Sequence, residues 1–135
     1  MTVDELLAVA RQRGLAVTLG PAPALGIPGR PSGDDDEETF TRRVIAFAQE
    51  HGWRAIHLRP ARTASGWRTA VSGNGKGFPD LLLVRGEELL VAELKVGKNR
   101  PTPEQRTWLA AFAAAGVRAY TWRPTDWMAI EKALT

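Results

Sequence analysis

The stretch Gly77–Lys95, GFPDLLLVRGEELLVAELK, constrains this chain more than any other. Its two apolar runs, Leu81–Val84 and Leu89–Ala92, are joined by Arg85-Gly86-Glu87-Glu88. Short apolar runs bounded by turn residues read as buried strands. Gly86 can take the positive φ that a two-residue hairpin needs at its first central position. With Gly86 and Glu87 as the loop, Arg85 faces Glu88, and stepping outward along both strands brings Asp80 opposite Glu93. Facing Cβ atoms sit roughly 5 Å apart, and Lys95, two residues beyond Glu93, points to the same face. The hairpin therefore gathers two carboxylates and one ammonium on a single patch.

Such a patch carries an electrostatic cost. Two ionised carboxylates about 5 Å apart repel by roughly 3 kcal/mol at an effective dielectric near 20. Their strands are otherwise almost wholly apolar, so water relieves little of it. Relief comes from a proton on one group, from Lys95, or from a divalent cation between the acids. Magnesium favours one or two carboxylates together with waters and phosphate oxygens, which suits this set. A lysine beside such a cation can orient or deprotonate an attacking water. The plain alternative is an ordinary hairpin with an Asp at its start and a Glu–Lys pair at its end.

Composition narrows the setting. At 135 residues the chain is long enough for one domain with a real core, and 44% hydrophobic with 24% charged residues is the balance of a soluble globular protein. No apolar run approaches a membrane span, and the N-terminus carries acids where a signal peptide carries bases. The expectation is a cytoplasmic protein, of a bacterium or of a host cell if phage-encoded. The absence of cysteine excludes disulfides, zinc ribbons and thiol nucleophiles. Two histidines, His51 and His57, cannot by themselves build a His-rich metal site. Net charge is only +3, but its distribution is uneven. Between Glu50 and Asp80 no acid occurs, while Arg54, Arg59, Arg62, Arg68 and Lys76 do. Lys95, Lys98 and Arg100 follow the hairpin, and five acids run together at Asp34–Glu38. Basic segments flanking a carboxylate patch suggest a polyanion held across it.

In chain order, Val3, Leu6, Leu7 and Ala10 recur at helical spacing over 3–13, and Gly14 can close that helix. Leu15–Leu19 reads as a strand or an extended arm. Gly20–Gly33 holds Pro21, Pro23, Pro28 and Pro31 among glycines and alanines, the composition of a linker. Residues 1–33 are thus expected to be an appendage and 34–135 the main domain. Phe40, Val44, Ile45, Phe47 and Ala48 form the apolar stripe of a helix ending at Gly52, and the acids before it complement its N-terminal dipole. Trp53–Leu58 reads as a strand. The glycines of Arg59–Phe78 argue for a long irregular loop, a feature usually kept for function. Thr102-Pro103-Glu104-Gln105 opens a helix with a capping box and proline at its first position. Trp108, Leu109, Phe112 and Ala113 are its expected buried face, and Gly116 its end. Val117–Trp122 is a further strand, Pro124 stops it, and Thr125–Leu134 is a terminal helix capped by Thr125 or Asp126. The core order is α-β-β-β-α-β-α.

GFPDL at 77–81, AELK at 92–95 and PEQRTWL at 103–109 resemble the VRR-NUC branch of the PD-(D/E)XK nucleases. A bare D…ExK arises often by chance, whereas GxPDL, ExK and PxQ in this order on these elements are far more specific. The resemblance spans about Asp34 to Pro124. It implies an α/β restriction-endonuclease-like fold, a mixed β-sheet flanked by helices, and cleavage of nucleic-acid backbones with Mg2+ or Mn2+. Carried over by position, Asp80 and Glu93 would be metal ligands together with the Leu94 carbonyl, and Lys95 would position or activate the water. Gln105 matches the family's motif glutamine, and it also stands where a capping-box glutamine belongs without any chemistry. The first-helix glutamate falls on Glu37 or Glu38; Glu37 lies one turn above Phe40, towards the sheet.

The resemblance further implies a DNA substrate, with branched or single-strand-containing DNA in prospect. A homodimer and work in DNA repair or recombination, phage-type systems included, fit the same family. Arg59, Arg62, Arg68, Lys76, Lys98 and Arg100 are the candidate phosphate contacts, and Trp67 is placed to stack on an unpaired base. The rival readings are a nucleic-acid-binding module without catalysis and a nuclease directed at RNA. Gly73-Asn74-Gly75-Lys76-Gly77 lacks the GxxxxGK[ST] pattern and precedes a strand, so it is not a phosphate loop.

Overall fold

The hairpin forms in the expected register and becomes the centre of a sheet. In the computed structural model, which describes residues 2–13, 27–58, 61–63, 66–68 and 74–135, the sheet has four strands. These are β1 (Arg54–His57), β4 (Leu81–Arg85), β5 (Glu88–Leu94) and β6 (Arg118–Trp122), in the order β1-β4-β5-β6. Between β1 and β4 in the chain, β2 (Ala61–Thr63) and β3 (Gly66–Arg68) pair separately. Leu81 pairs with Ala92 and Arg85 with Glu88. Gly86 closes the turn at φ +58°, and Glu87 stays out of the left-handed region, the pattern of a type II′ hairpin.

β1 lies antiparallel to β4, and β6 parallel to β5. A parallel neighbour needs a crossover, which α3 (Pro103–Ala114) supplies. The remaining helices are α1 (Val3–Gln12), α2 (Glu37–Glu50) and α4 (Trp127–Leu134). Asp36 caps α2, its Oδ1 accepting from the Thr39 N–H at 2.7 Å.

Alternation along the central strands divides their side chains between two faces. Leu81, Leu83, Leu90, Ala92 and Leu94 join Phe40, Val44 and Ala48 of α2 and Trp127, Ile130 and Leu134 of α4 in one buried cluster. Trp53 and Trp122 belong to it as well. Asp80 and Glu93 fall on the opposite face, where α3 packs across β5 and β6. One face is therefore the core, and the other carries the polar residues.

Three expectations are corrected by the fold. The Arg59–Phe78 loop contains the short β2–β3 hairpin, with Arg62 paired to Trp67. Threonine, tryptophan and arginine lie on its two strands, and of the described glycines in this stretch Gly66 is in the ladder while Gly75 and Gly77 are not. Second, no residue of α3 is fully buried. Trp108, Leu109 and Phe112 are half-buried and Ala113 is exposed, because the aromatic rings pack on Phe78, at 5.1 Å for Trp108 and 5.7 Å for Phe112. Third, a 3-10 turn over Pro124–Asp126 precedes α4. The Asp126 carboxylate accepts from the Arg123 N–H at 2.8 Å, so it closes that turn rather than capping the helix.

Residues 27–33 run along α2. The Ile27 N–H donates to the Arg42 carbonyl at 3.1 Å, and Arg43 donates to the Pro28 carbonyl and to Asp35, both at 2.8 Å. Arg13, just beyond α1, reaches Glu87 of the hairpin turn at 2.7 Å. Among the described residues, no helix is long and apolar enough to cross a membrane.

Candidate active site

The site begins where β4 begins, at a proline. In the hairpin register Leu94 lies across from Pro79, one step beyond the Asp80–Glu93 position. Proline has no N–H, so Pro79 offers the Leu94 carbonyl no ladder donor. The Leu94 N–H is taken up differently: the Asp80 Oδ2 accepts it at 2.9 Å. Asp80 is fixed from behind as well, its carbonyl accepting from the Leu58 N–H at 2.9 Å. The Pro-Asp pair thus ends the ladder and aims a carboxylate across the strand.

Glu93 is 0% exposed, the one buried carboxylate among the described residues. Its Oε1 accepts from Gln105 Nε2 at 2.8 Å and lies 3.2 Å from Lys95 Nζ. Its Oε2 is buried with no hydrogen-bond partner. Buried acceptors are seldom left in that state. Burial, and then the charge of Asp80, push the Glu93 carboxyl up to about 8, with Lys95 pulling the other way.

Glu37 is half-buried in the first turn of α2, whereas Glu38 is exposed. Burial raises the Glu37 carboxyl above the usual range; Asp80 raises it further and Lys95 lowers it. Glu37 therefore feels the charges of the patch. Thr41, also on α2, is buried with its hydroxyl donating to the Glu37 carbonyl at 2.7 Å. That hydroxyl is spent within its own helix.

Gln105 caps its helix and also reaches the buried acid. The Thr102 N–H donates to Gln105 Oε1 at 2.8 Å, and the Gln105 N–H returns to Thr102 Oγ1 at 3.2 Å, completing a capping box. The same side chain gives its Nε2 to Glu93. Gln105 thereby ties the start of α3 to the buried acid. Gly77 permits the close approach this requires. It sits at φ +83°, and a Cβ there would come 2.6 Å from Glu104 Cβ and 2.8 Å from Gln105 N.

The structure brings Asp80, Glu93, Lys95, Gln105 and Glu37 together. Lys76, Lys98 and Arg100 are exposed on the segments before and after the hairpin, and Lys76 lies 3.5 Å from Glu104. Arg62, Trp67 and Arg68 sit on β2 and β3 with their side chains outside the described part, and Arg59 lies outside the described residues.

Sequence reasoning missed Arg123. Its Nη1 donates to the Gly97 carbonyl at 3.0 Å and its Nη2 to the Asn99 carbonyl. One guanidinium thus fixes the segment that carries Lys98, just after Lys95. The parallel pairing of Leu94 with Trp122 puts Arg123 beside that segment, and this neighbour is visible only once the register is known.

The donor set fits a hard divalent cation. Asp80, the unpartnered Glu93 Oε2 and the Leu94 carbonyl are all oxygens, the ligand type that magnesium and manganese take. Among the described residues no three Asp, Glu, His or Cys side chains group closely enough to hold a metal. Two carboxylates with water and phosphate oxygens, the usual magnesium arrangement, is the set available.

A mixed four-stranded sheet with helices packed on it, and an Asp/Glu-x-Lys patch at the end of its central hairpin, defines a restriction-endonuclease-like fold. The VRR-NUC domain model matches residues 35–124, and the chain belongs to that family. The chain is also similar to the solved structure of Hjc, a Holliday junction resolvase from the hyperthermophilic archaeon Archaeoglobus fulgidus. The TM-score is 0.41 at 23% identity, covering 62% of this chain and 63% of that one, less than two thirds of its length. No curated protein matches the sequence.

Proposed function

We propose that this chain is a divalent-metal-dependent endonuclease that hydrolyses DNA phosphodiester bonds, preferring branched or single-strand-containing DNA. The observation that carries the reading is the Glu93 carboxylate, buried beside Asp80 and held by Lys95 and Gln105, with one oxygen lacking any donor. A buried acid so placed weakens the fold, and a cation accounts for it.

Asp80, Glu93 and the Leu94 carbonyl would hold Mg2+ or Mn2+, which supplies Lewis-acid polarisation of the phosphate and a more acidic water when bound. The chain's own residues do the rest. Lys95 extends from the same face as Glu93, within reach of a water or a non-bridging oxygen at the patch, and orients or deprotonates the nucleophile. Gln105 keeps Glu93 in one rotamer. Glu37 adds a carboxylate that accepts a hydrogen bond from water on the α2 side. Arg59, Arg62, Arg68, Lys76, Lys98 and Arg100 hold phosphates to either side, and positioning of this kind accounts for much of the rate gain in transfer to water. A homodimer acting in DNA repair or recombination belongs to the same proposal, and sedimentation tests its oligomeric part.

The test is nicking of plasmid and synthetic branched DNA in Mg2+ or Mn2+, with matched RNA substrates in parallel. Asp80→Asn is expected to abolish cutting and to leave binding largely intact. Equal activity in that variant would refute the role given to Asp80. Binding with no cleavage by wild type, across metals and substrates, would leave a non-catalytic binding module in its place.

A further inference from the structure

Trp108 does not behave as a core tryptophan. Trp53, Trp122 and Trp127 are 2%, 3% and 5% exposed. Trp108 is half-buried and lines an open cleft of about 490 Å3 with Asn74, Lys76, Glu104, Thr107 and Ala111. Its indole is fixed. The ring N–H is shared between the Asn74 carbonyl at 2.9 Å and the Lys76 carbonyl at 3.2 Å. Phe78 meets the ring edge-on at 5.1 Å, and Phe112 lies tilted at 5.8 Å. With its one polar atom spent on the backbone, the side chain offers the cleft only π surface.

The cleft adjoins the carboxylate patch through the backbone. Glu104 on its rim precedes Gln105, which holds Glu93 at 2.8 Å. Lys76, which pairs with Glu104 at 3.5 Å, precedes Gly77, which is pressed against Glu104 and Gln105. Asp80 is four steps along the chain from Lys76, at most ~14 Å when extended. A stacked strand advances ~3.4 Å per nucleotide. A base in the cleft is then within about four nucleotides of a phosphodiester at the patch.

The rim adds a donor and an acceptor. The side chains of Lys76 and Glu104 are 85% and 45% exposed and pair with each other at 3.5 Å; the Glu104 carboxylate is also held by the first turn of α3, whereas the Lys76 ammonium is held by that pair and can turn to a ligand. An ammonium suits a phosphate or a purine acceptor edge, and a carboxylate accepts from an exocyclic amine. A rigid aromatic wall with those two groups at the mouth matches a nucleobase. An aliphatic side chain would offer nothing to the Lys76–Glu104 pair at the mouth. A paired base already has its faces stacked and its edge engaged, so the occupant is unpaired.

Resting on the nuclease reading above, we infer that the Trp108 cleft receives one unpaired base of the bound strand, reading single-strand character beside the site of cutting.

The experiment uses the full chain carrying Asp80→Asn in EDTA, so that nothing is cut. Gapped duplexes carry 2-aminopurine, or an abasic residue, at successive positions of the single-stranded gap. One position is expected to show quenched emission on binding, and the abasic residue there is expected to weaken binding roughly 10-fold or more. Ala111→Trp fills the cleft from an exposed helix position and should remove both effects with the melting temperature kept. Trp108→Ala should remove them too, and Trp108→Phe should restore part. No quenched position, equal affinity for natural and abasic gaps, or retention of both effects in Ala111→Trp would each overturn the proposal. So would a fall in sedimentation mass in Ala111→Trp with the base effects intact, since the face would then hold a second copy of this chain. Binding is read without cutting, so the two readings fail separately. A wild type that cuts nothing yet shows the base effects sinks only the nuclease, and one that cuts without them sinks only the cleft.

Discussion

Glu93→Gln should make the metal-free protein more stable while destroying the proposed activity. The Glu93 carboxyl is pushed up to about 8 by burial and by Asp80, against about 4.3 in an unfolded chain. Between those pH values the native state holds a proton that the unfolded state has released. Stability therefore falls as pH rises through that window, and the group contributes no slope below or above it. At 1.36 kcal/mol for each pH unit of displacement, full ionisation costs on the order of 5 kcal/mol. A neutral glutamine keeps an oxygen for Gln105 and Lys95, and its amide can donate towards Asp80 as the protonated Glu93 carboxyl does. With a few °C of melting temperature per kcal/mol in a domain of this size, the variant should lead wild type by roughly 10 °C at pH 8.5 and by little at pH 5. Circular-dichroism melts in EDTA across that range measure it. Saturating Mg2+ should then raise wild type more than the variant, because binding to the native state alone adds stability. Parallel pH profiles for the two proteins, or a variant less stable than wild type at pH 8.5, would refute the burial argument.

Three other perturbations separate the parts of the site. Gln105→Glu keeps the capping box but exchanges the donor facing Glu93 for a further carboxylate, so far-UV helicity should persist while cleavage falls by at least about 10-fold. Gly77→Ala meets both a left-handed φ and a Cβ within 2.6–2.8 Å of Glu104 and Gln105; it should cost roughly 2–3 kcal/mol in urea melts and reduce cleavage as well. Arg123→Ala frees the carbonyls of Gly97 and Asn99. It should raise KM for DNA several-fold and lower the salt slope of binding, with kcat changed less.

Much of this molecule was legible in the linear chain because its central feature is local. A hairpin closed by Gly86 fixes its own register, and a fixed register decides which side chains share a face. Asp80, Glu93 and Lys95 followed from counting outward from that turn, and the capping box at Thr102 followed from four consecutive residues. The motif spacing pointed to the VRR-NUC family, to which the chain belongs. What stayed hidden depends on contacts between elements distant in sequence. Periodicity called Trp108 buried, since apolar spacing alone cannot say whether a helix meets the core or a loop such as the one bearing Phe78.

The sequence by itself determined the alternation that places two acids and a lysine on one side of a ribbon. Only the tertiary structure left Glu37 half-buried and Glu38 exposed, because that turns on the rotation of α2 against the sheet. It alone brought the capping glutamine Gln105 to Glu93, set Arg123 beside the Lys98 segment and left Trp108 lining a cleft. Each is a meeting of segments whose separation along the chain carries no information until the elements are packed. Local geometry repeats with a period that can be counted, whereas packing between layers is set by which surfaces exclude water together.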